Sequence, residues 1–227
     1  MNKPDRFTEF VAERLQAAVK RAGVPAKSLA VVCDIESPAR DVTPLLEGFD
    51  CFGVAHGRAL PFAIGMKLAN PELKVLVYTE DSSLGAAGGS HFAHSARRNV
   101  DIAVLCAETA GPAAARNKAW EPPKTMKGAC VAERFLEAPM PLVRLADACG
   151  ASYAARWTER DGQSLAESIA EAILKPGFAY VEVVESPGEG VQTGNIVDRQ
   201  APTSLDLMNR HLSKVLGGRY VWWGGKP

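Results

Sequence analysis

Apolar side chains recur along this chain in two rhythms, and the alternation between those rhythms predicts its architecture. Over residues 5–22, Phe7, Phe10, Val11, Leu15, Ala18, Val19 and Ala22 fall on one helix face. Pro4 and Asp5 suit its first turn and Gly23 its end. Leu29 to Cys33 is a short unbroken apolar run, the pattern of a strand buried on both faces. Weaker runs at Cys51–Val54, Lys74–Tyr78 and Ile102–Ala107 read as strands, with helices at Arg58–Ala69 and Gly89–Arg98 between them. Farther on, Ala151–Arg156 and Phe178–Val184 read as strands around a helix at Ser164–Leu174. Strands alternating with helices predict right-handed βαβ units, hence an α/β fold with a doubly wound, mostly parallel sheet.

Two segments break the rhythm. Residues 110–141 hold Pro112, Pro122, Pro123, Pro139 and Pro141 with little periodicity, and a loop that long in a compact domain is usually a lid or a partner contact. Residues 186–203 are rich in Gly and Pro and read as a linker to a terminal helix around Ser204–Leu216. The chain is therefore expected to divide into an α/β domain over 1–190 and a C-terminal extension over 191–227. The extension ends on Tyr220-Val221-Trp222-Trp223, an aromatic tail suited to a subunit interface.

Composition narrows the setting. The chain has 227 residues, 47% hydrophobic and 23% charged, enough for a core on both faces of a sheet. Its formal net charge is zero, which points away from nucleic acid and from anionic membrane surfaces. No apolar run approaches the roughly 20 residues that span a bilayer. The opening MNKPDRFTEF has acids beside its bases and no apolar centre, so it does not read as a signal peptide. A cytoplasmic location is expected. The five cysteines form no C-x-x-C pair, and an odd number argues against a closed disulfide framework. Cys33 and Cys106 each end an apolar run and read as small buried side chains. The spacing offers no thiolate cluster for iron and sulfur, so any such cluster is expected on a partner chain.

The richest stretch runs from Val54 to Asp101 and contains HGRALP, KLANP, GGSH and HSARRN. With these motifs at the ends of strands and helices, the chain closely resembles the thiamine-diphosphate (β) subunit of 2-oxoacid:ferredoxin oxidoreductases. The likeness is strong over 54–105, moderate over 141–185 and weak over 7–53. It implies the diphosphate-domain type of α/β fold and a larger α subunit bearing the pyrimidine-binding domain. It also implies an iron–sulfur or ferredoxin electron carrier, and so a hetero-oligomer. The implied reaction is oxidative decarboxylation of a 2-oxoacid, with chemistry supplied by thiamine diphosphate and Mg²⁺ and orientation by protein.

Carried over residue by residue, the resemblance assigns cofactor contacts to His56, Gly57 and Arg58 and to Asp81, Ser82 and Ser83. Metal oxygens are assigned to Asp81 and Thr109. The family's GDGD loop is here Glu80-Asp81-Ser82-Ser83, and its Asn-Asn pair is Glu108-Thr109. Its Gly-Cys-Ser after the first strand is Glu36-Ser37-Pro38. These departures share one presumptive ligand edge, and they put carboxylates where diphosphate oxygens would lie.

The residues alone allow plainer roles. Asp81 in a Thr-Glu-Asp-Ser-Ser string suits a turn or helix cap. His91 and His94 suit solvent or core hydrogen bonds as well as a metal. Gly85, Gly88 and Gly89 suit tight loop packing, and Arg97-Arg98 a solvated helix end. His56 suits either a cofactor contact or a cap. Two functions stay open: an active β subunit, or a non-catalytic subunit that keeps the fold for assembly without thiamine diphosphate.

Overall fold

The computed structural model of the chain describes residues 6–34, 42–46, 48–85, 87–108, 140–185 and 193–199. Helix α1 (Arg6–Ala22) leads to β1 (Leu29–Asp34) and β2 (Asp50–Val54). Next come α2 (Ala59–Ala69), β3 (Lys74–Glu80), α3 (Asp81–Gly85), α4 (Gly89–Arg97) and β4 (Ala103–Glu108). The order closes with α5 (Leu142–Cys149), β5 (Tyr153–Thr158), α6 (Gly162–Leu174), β6 (Ala179–Val184) and β7 (Gly194–Asp198). The strands form one seven-stranded sheet in the order β2-β1-β3-β4-β6-β5-β7. All neighbours are parallel except β5 and β7. The doubly wound α/β reading of the sequence is what the chain adopts.

Period-two alternation along the strands divides the core between two faces. Val31, Leu76, Leu105 and Val181 pack with α1 and α6 on one side. Val32, Val77, Val104 and Tyr180 pack on the other with side chains of α2, α4 and α5. There Phe92 meets Phe178 and Tyr180 edge to face, at centroid distances of 5.5 and 5.1 Å.

Among the elements labelled above, the structure adds three to the sequence reading, the short helix α3, helix α5 and strand β7, and it lengthens others. Helix α5 buries Leu142, Val143 and Ala146 and stops at Gly150, but its eight residues follow a proline-rich run that hides the periodicity. Strand β7 lies past residue 190, in the stretch read as linker, yet it pairs with β5 at the sheet edge. It buries only Val197, so it lacks the alternation by which strands are recognised. Strands β3 and β4 each run on into acid residues, Glu80 and Glu108, that read as loop. The terminal helix, the aromatic tail and most of the 110–141 segment lie outside the described residues.

The amino edge of the sheet is held by buried polar groups from two of the recognised motifs. Lys67 of KLANP is buried; its ammonium lies 2.7 Å from Asp101 Oδ2 and donates to the Leu73 carbonyl at 3.0 Å. Asp101 Oδ1 in turn accepts the Gly177 amide at 3.0 Å. Asn99, closing HSARRN, takes a left-handed φ of 49°. Its Oδ1 accepts the Ser152 hydroxyl at 2.9 Å and the Phe178 amide at 2.8 Å. These bonds join α2 and the starts of β4, β5 and β6. Removing one member of a buried pair strands the other charge, at roughly 3 kcal/mol. Asp101→Ala is therefore expected to lower urea-unfolding stability by about 3 kcal/mol, and exposed Arg97→Ala to change it by no more than about 0.5 kcal/mol.

Candidate functional site

In an open parallel sheet, ligands bind beyond the carboxyl ends of the strands, where successive connections leave in opposite directions. Here β1 connects to β2 on one side while β3 lies on its other side, so that point falls between β1 and β3. Cys33 pairs with Tyr78 in register, which sets the next residues, Asp34 and Thr79, side by side at the crevice.

Asp34 is 2% exposed. Its Oδ2 accepts the hydroxyl of Thr79 and, at 2.7 Å, that of Ser83. Ser83 Oγ accepts the Gly57 amide at 2.9 Å. A relay of donors thus runs from the β2–α2 loop through the first turn of α3 onto a single carboxylate oxygen. Asp34 Oδ1 is also buried and has no hydrogen-bond partner among the described residues. The loops meet at backbone distance. Gly57 has φ +69°, and a Cβ there would lie 2.6 Å from that of Ala87; a Cβ on Gly88 would lie 2.9 Å from the Ser83 carbonyl. Glycine is required at both places.

Along the same edge, β4, β5 and β6 end in a charged cluster. Arg156 Nε donates to Glu182 at 2.8 Å, and its Nη2 to Glu108 at 3.3 Å. One guanidinium thus serves two carboxylates. Burial of Glu182 pushes its carboxyl up from an ordinary 4.5 to about 7; Arg156 opposes the rise and Glu108 adds to it. Beside it, burial holds the Cys106 thiol well above its usual range, so it is not a poised nucleophile. Burial also pushes Cys33 up to about 12. Both are the buried side chains that their runs predict. Among the described residues no group of three or more His, Cys, Asp or Glu side chains converges as a metal site.

The residues singled out in the sequence fall as two adjacent groups. His56, Gly57 and Arg58 form the loop before α2, and Asp81, Ser82 and Ser83 open α3. The bond between Ser83 and Gly57 brings the groups together. Arg58 is exposed and donates to the His56 carbonyl at 3.3 Å. Thr109 lies outside the described residues. His94, Arg97 and Arg98 are exposed on α4 and its end, as the plainer reading has them. Sequence reasoning missed Asp34, Arg156 and Glu182. Their signal was a charged side chain inside or closing an otherwise apolar strand, as in LAVVCD and AYVEVV.

A sheet of this order with its polar groups at this edge defines a class. Residues 39–183 match the family described as thiamine pyrophosphate enzyme, C-terminal TPP binding domain. The 2-oxoglutarate synthase subunit KorB of Methanothermobacter marburgensis is 37% identical over 199 residues, covering 87% of this chain and 64% of the relative. Subunit beta of 2-oxoacid:ferredoxin oxidoreductase 2 from Aeropyrum pernix is 34% identical over 181 residues, covering 77% and 56%. The chain belongs to the thiamine pyrophosphate domain family and, within it, to the β subunits of the 2-oxoacid:ferredoxin oxidoreductases. It spans 64% and 66% of the length of two KorB relatives. A solved 2-oxoglutarate:ferredoxin oxidoreductase from Magnetococcus marinus shares the fold, with a TM-score of 0.73 at 20% identity, covering 97% of this chain and 90% of that one.

The raised Glu182 carboxyl sets a pH dependence. The fold favours its protonated form, so the folded chain binds more protons than the unfolded chain between about 4.5 and 7. Its contribution to stability is full below that window and is lost as pH rises through it. The Glu182→Gln variant is expected to lose this part of the dependence. Thermal unfolding of both proteins across the window measures it as the difference between their slopes.

Proposed function

We propose that this chain serves a 2-oxoacid:acceptor oxidoreductase complex as its β-type subunit, through its fold and contacts, while thiamine diphosphate and Mg²⁺ are held elsewhere in the complex. The reaction served is oxidative decarboxylation of a 2-oxoacid. An α subunit with the pyrimidine-binding domain and an iron–sulfur or ferredoxin carrier would lie on partner chains. The relatives' names support the complex. The Asp34 network carries the second half of the reading.

A Mg²⁺–diphosphate needs hard oxygens on the metal and free donors on the phosphates. The residues present do not fit it. The Gly57 amide is given to Ser83, the hydroxyls of Ser83 and Thr79 to Asp34, and the Glu108 carboxylate to Arg156. Asp34 and Glu80 are buried at the same edge, and a phosphate oxygen about 4 Å from a carboxylate meets roughly 4 kcal/mol of repulsion at an effective dielectric near 20. The other reading, an active subunit built on His56 and Asp81, is favoured by one observation. The Ser83–Gly57 bond places the two recognised loops together.

Assembly has a candidate surface. Helix α2 is apolar on nearly every side yet buries only part of itself, and an all-apolar helix normally has cover. Phe62 on α2 and Phe52 on β2 are exposed, with ring centroids 5.9 Å apart. Phe62→Glu is expected to weaken association by at least about tenfold while leaving thermal stability unchanged, measured by sedimentation of the assembled complex. The test of the reading as a whole is subunit mass spectrometry and cofactor analysis of the complex purified from its source. The expected result is a second β-type chain with an intact GDGD loop and Asn-Asn pair that accounts for the bound thiamine diphosphate. One cofactor per copy of this chain, with no such second chain, would overturn the reading.

A further inference from the structure

The donors at the crevice between β1 and β3 are arranged as an anion site is. Two hydroxyls approach one point from different elements, Thr79 from β3 and Ser83 from α3, and the Gly57 amide of the β2–α2 loop donates in turn to Ser83 Oγ at 2.9 Å. What the two hydroxyls meet is a carboxylate of the chain itself. Asp34 is buried, with an exposure of 2%, and its second oxygen is buried with no partner among the described residues. A buried carboxylate oxygen left without a donor is costly and is rarely kept without a role.

We propose that Asp34 is a built-in anion: its carboxylate stands where a diphosphate would take these donors, and it keeps the crevice closed to phosphate ligands. The proposal deepens the reading of this chain as a subunit that does not hold the cofactor, and it names the group responsible. Closure is by charge and by occupancy together. The carboxylate repels an incoming phosphate, and it holds Ser83 so that Ser83 in turn holds the Gly57 amide. Glu36-Ser37-Pro38, one of the sequence departures, lies two residues farther on; the closing group is in β1 itself.

Titration calorimetry of the full chain with Mg²⁺ and either inorganic diphosphate or thiamine diphosphate tests this. The wild-type chain is expected to show no saturable binding of either at millimolar ligand. Asp34→Ala frees the hydroxyls of Thr79 and Ser83. Asp34→Asn keeps the shape of the side chain and removes its charge. Each is expected to bind both ligands at least about tenfold more tightly than wild type. Wild-type binding as tight as that of the variants would overturn the proposal. So would folded variants that gain nothing, or a gain confined to thiamine diphosphate, which would credit some part other than the diphosphate. If either variant unfolds, millimolar diphosphate is expected to restore folding by refilling the donors, and failure of that rescue for both would also overturn it. Complex membership is decided separately by the subunit composition of the purified assembly, so it survives a failure here.

Discussion

The carboxyl edge of this sheet is organised around one buried oxygen. Asp34 Oδ2 receives the hydroxyls of Thr79 and Ser83, and through Ser83 it fixes the amide of Gly57. Hydrogen bonds to a charged group contribute roughly 1.5–3 kcal/mol each, so this carboxylate ties β1, β3 and the loop before α2 more firmly than packing alone. The same bonds consume donors that a phosphate ligand would need. Stability and closure of the crevice therefore come from one group, and they cannot be changed independently.

The motifs that reveal the family divide between the two edges of the sheet. Lys67 of KLANP and Asn99 of HSARRN sit at the amino edge, where they satisfy Asp101, the Leu73 carbonyl, Ser152 and the Phe178 amide. Those roles are structural and do not require a bound cofactor. HGRALP and the Glu80–Ser83 loop sit at the carboxyl edge, where ligand chemistry would be. At that edge Asp34, Glu80, Glu108 and Glu182 gather, and Arg156 is shared between two of them.

The fold was legible because its strands are buried on both faces and its helices carry clear apolar stripes. Leu29–Cys33 reads as a strand from its unbroken apolar run, and β1 is buried along its whole length. Strand β7 was not legible, because an edge strand that buries one residue of five has no pattern to read. The site was legible only in part. Gly57 and Ser83 could be named from the motif in which they stand, whereas their direct bond required the sheet order. Asp34 carries no motif, and its role exists only because Thr79 and Ser83, more than forty positions away, arrive beside it.

Hydrogen exchange at the Gly57 amide, followed by NMR with and without Mg²⁺–thiamine diphosphate, tests the closed crevice most directly. A donor locked to Ser83 behind a buried carboxylate exchanges slowly. Slow exchange, with neither its rate nor its chemical shift moved by the cofactor, is the expected result. A Gly57 amide that exchanges rapidly in the free protein, or one whose resonance moves saturably as the cofactor is added, would contradict the account.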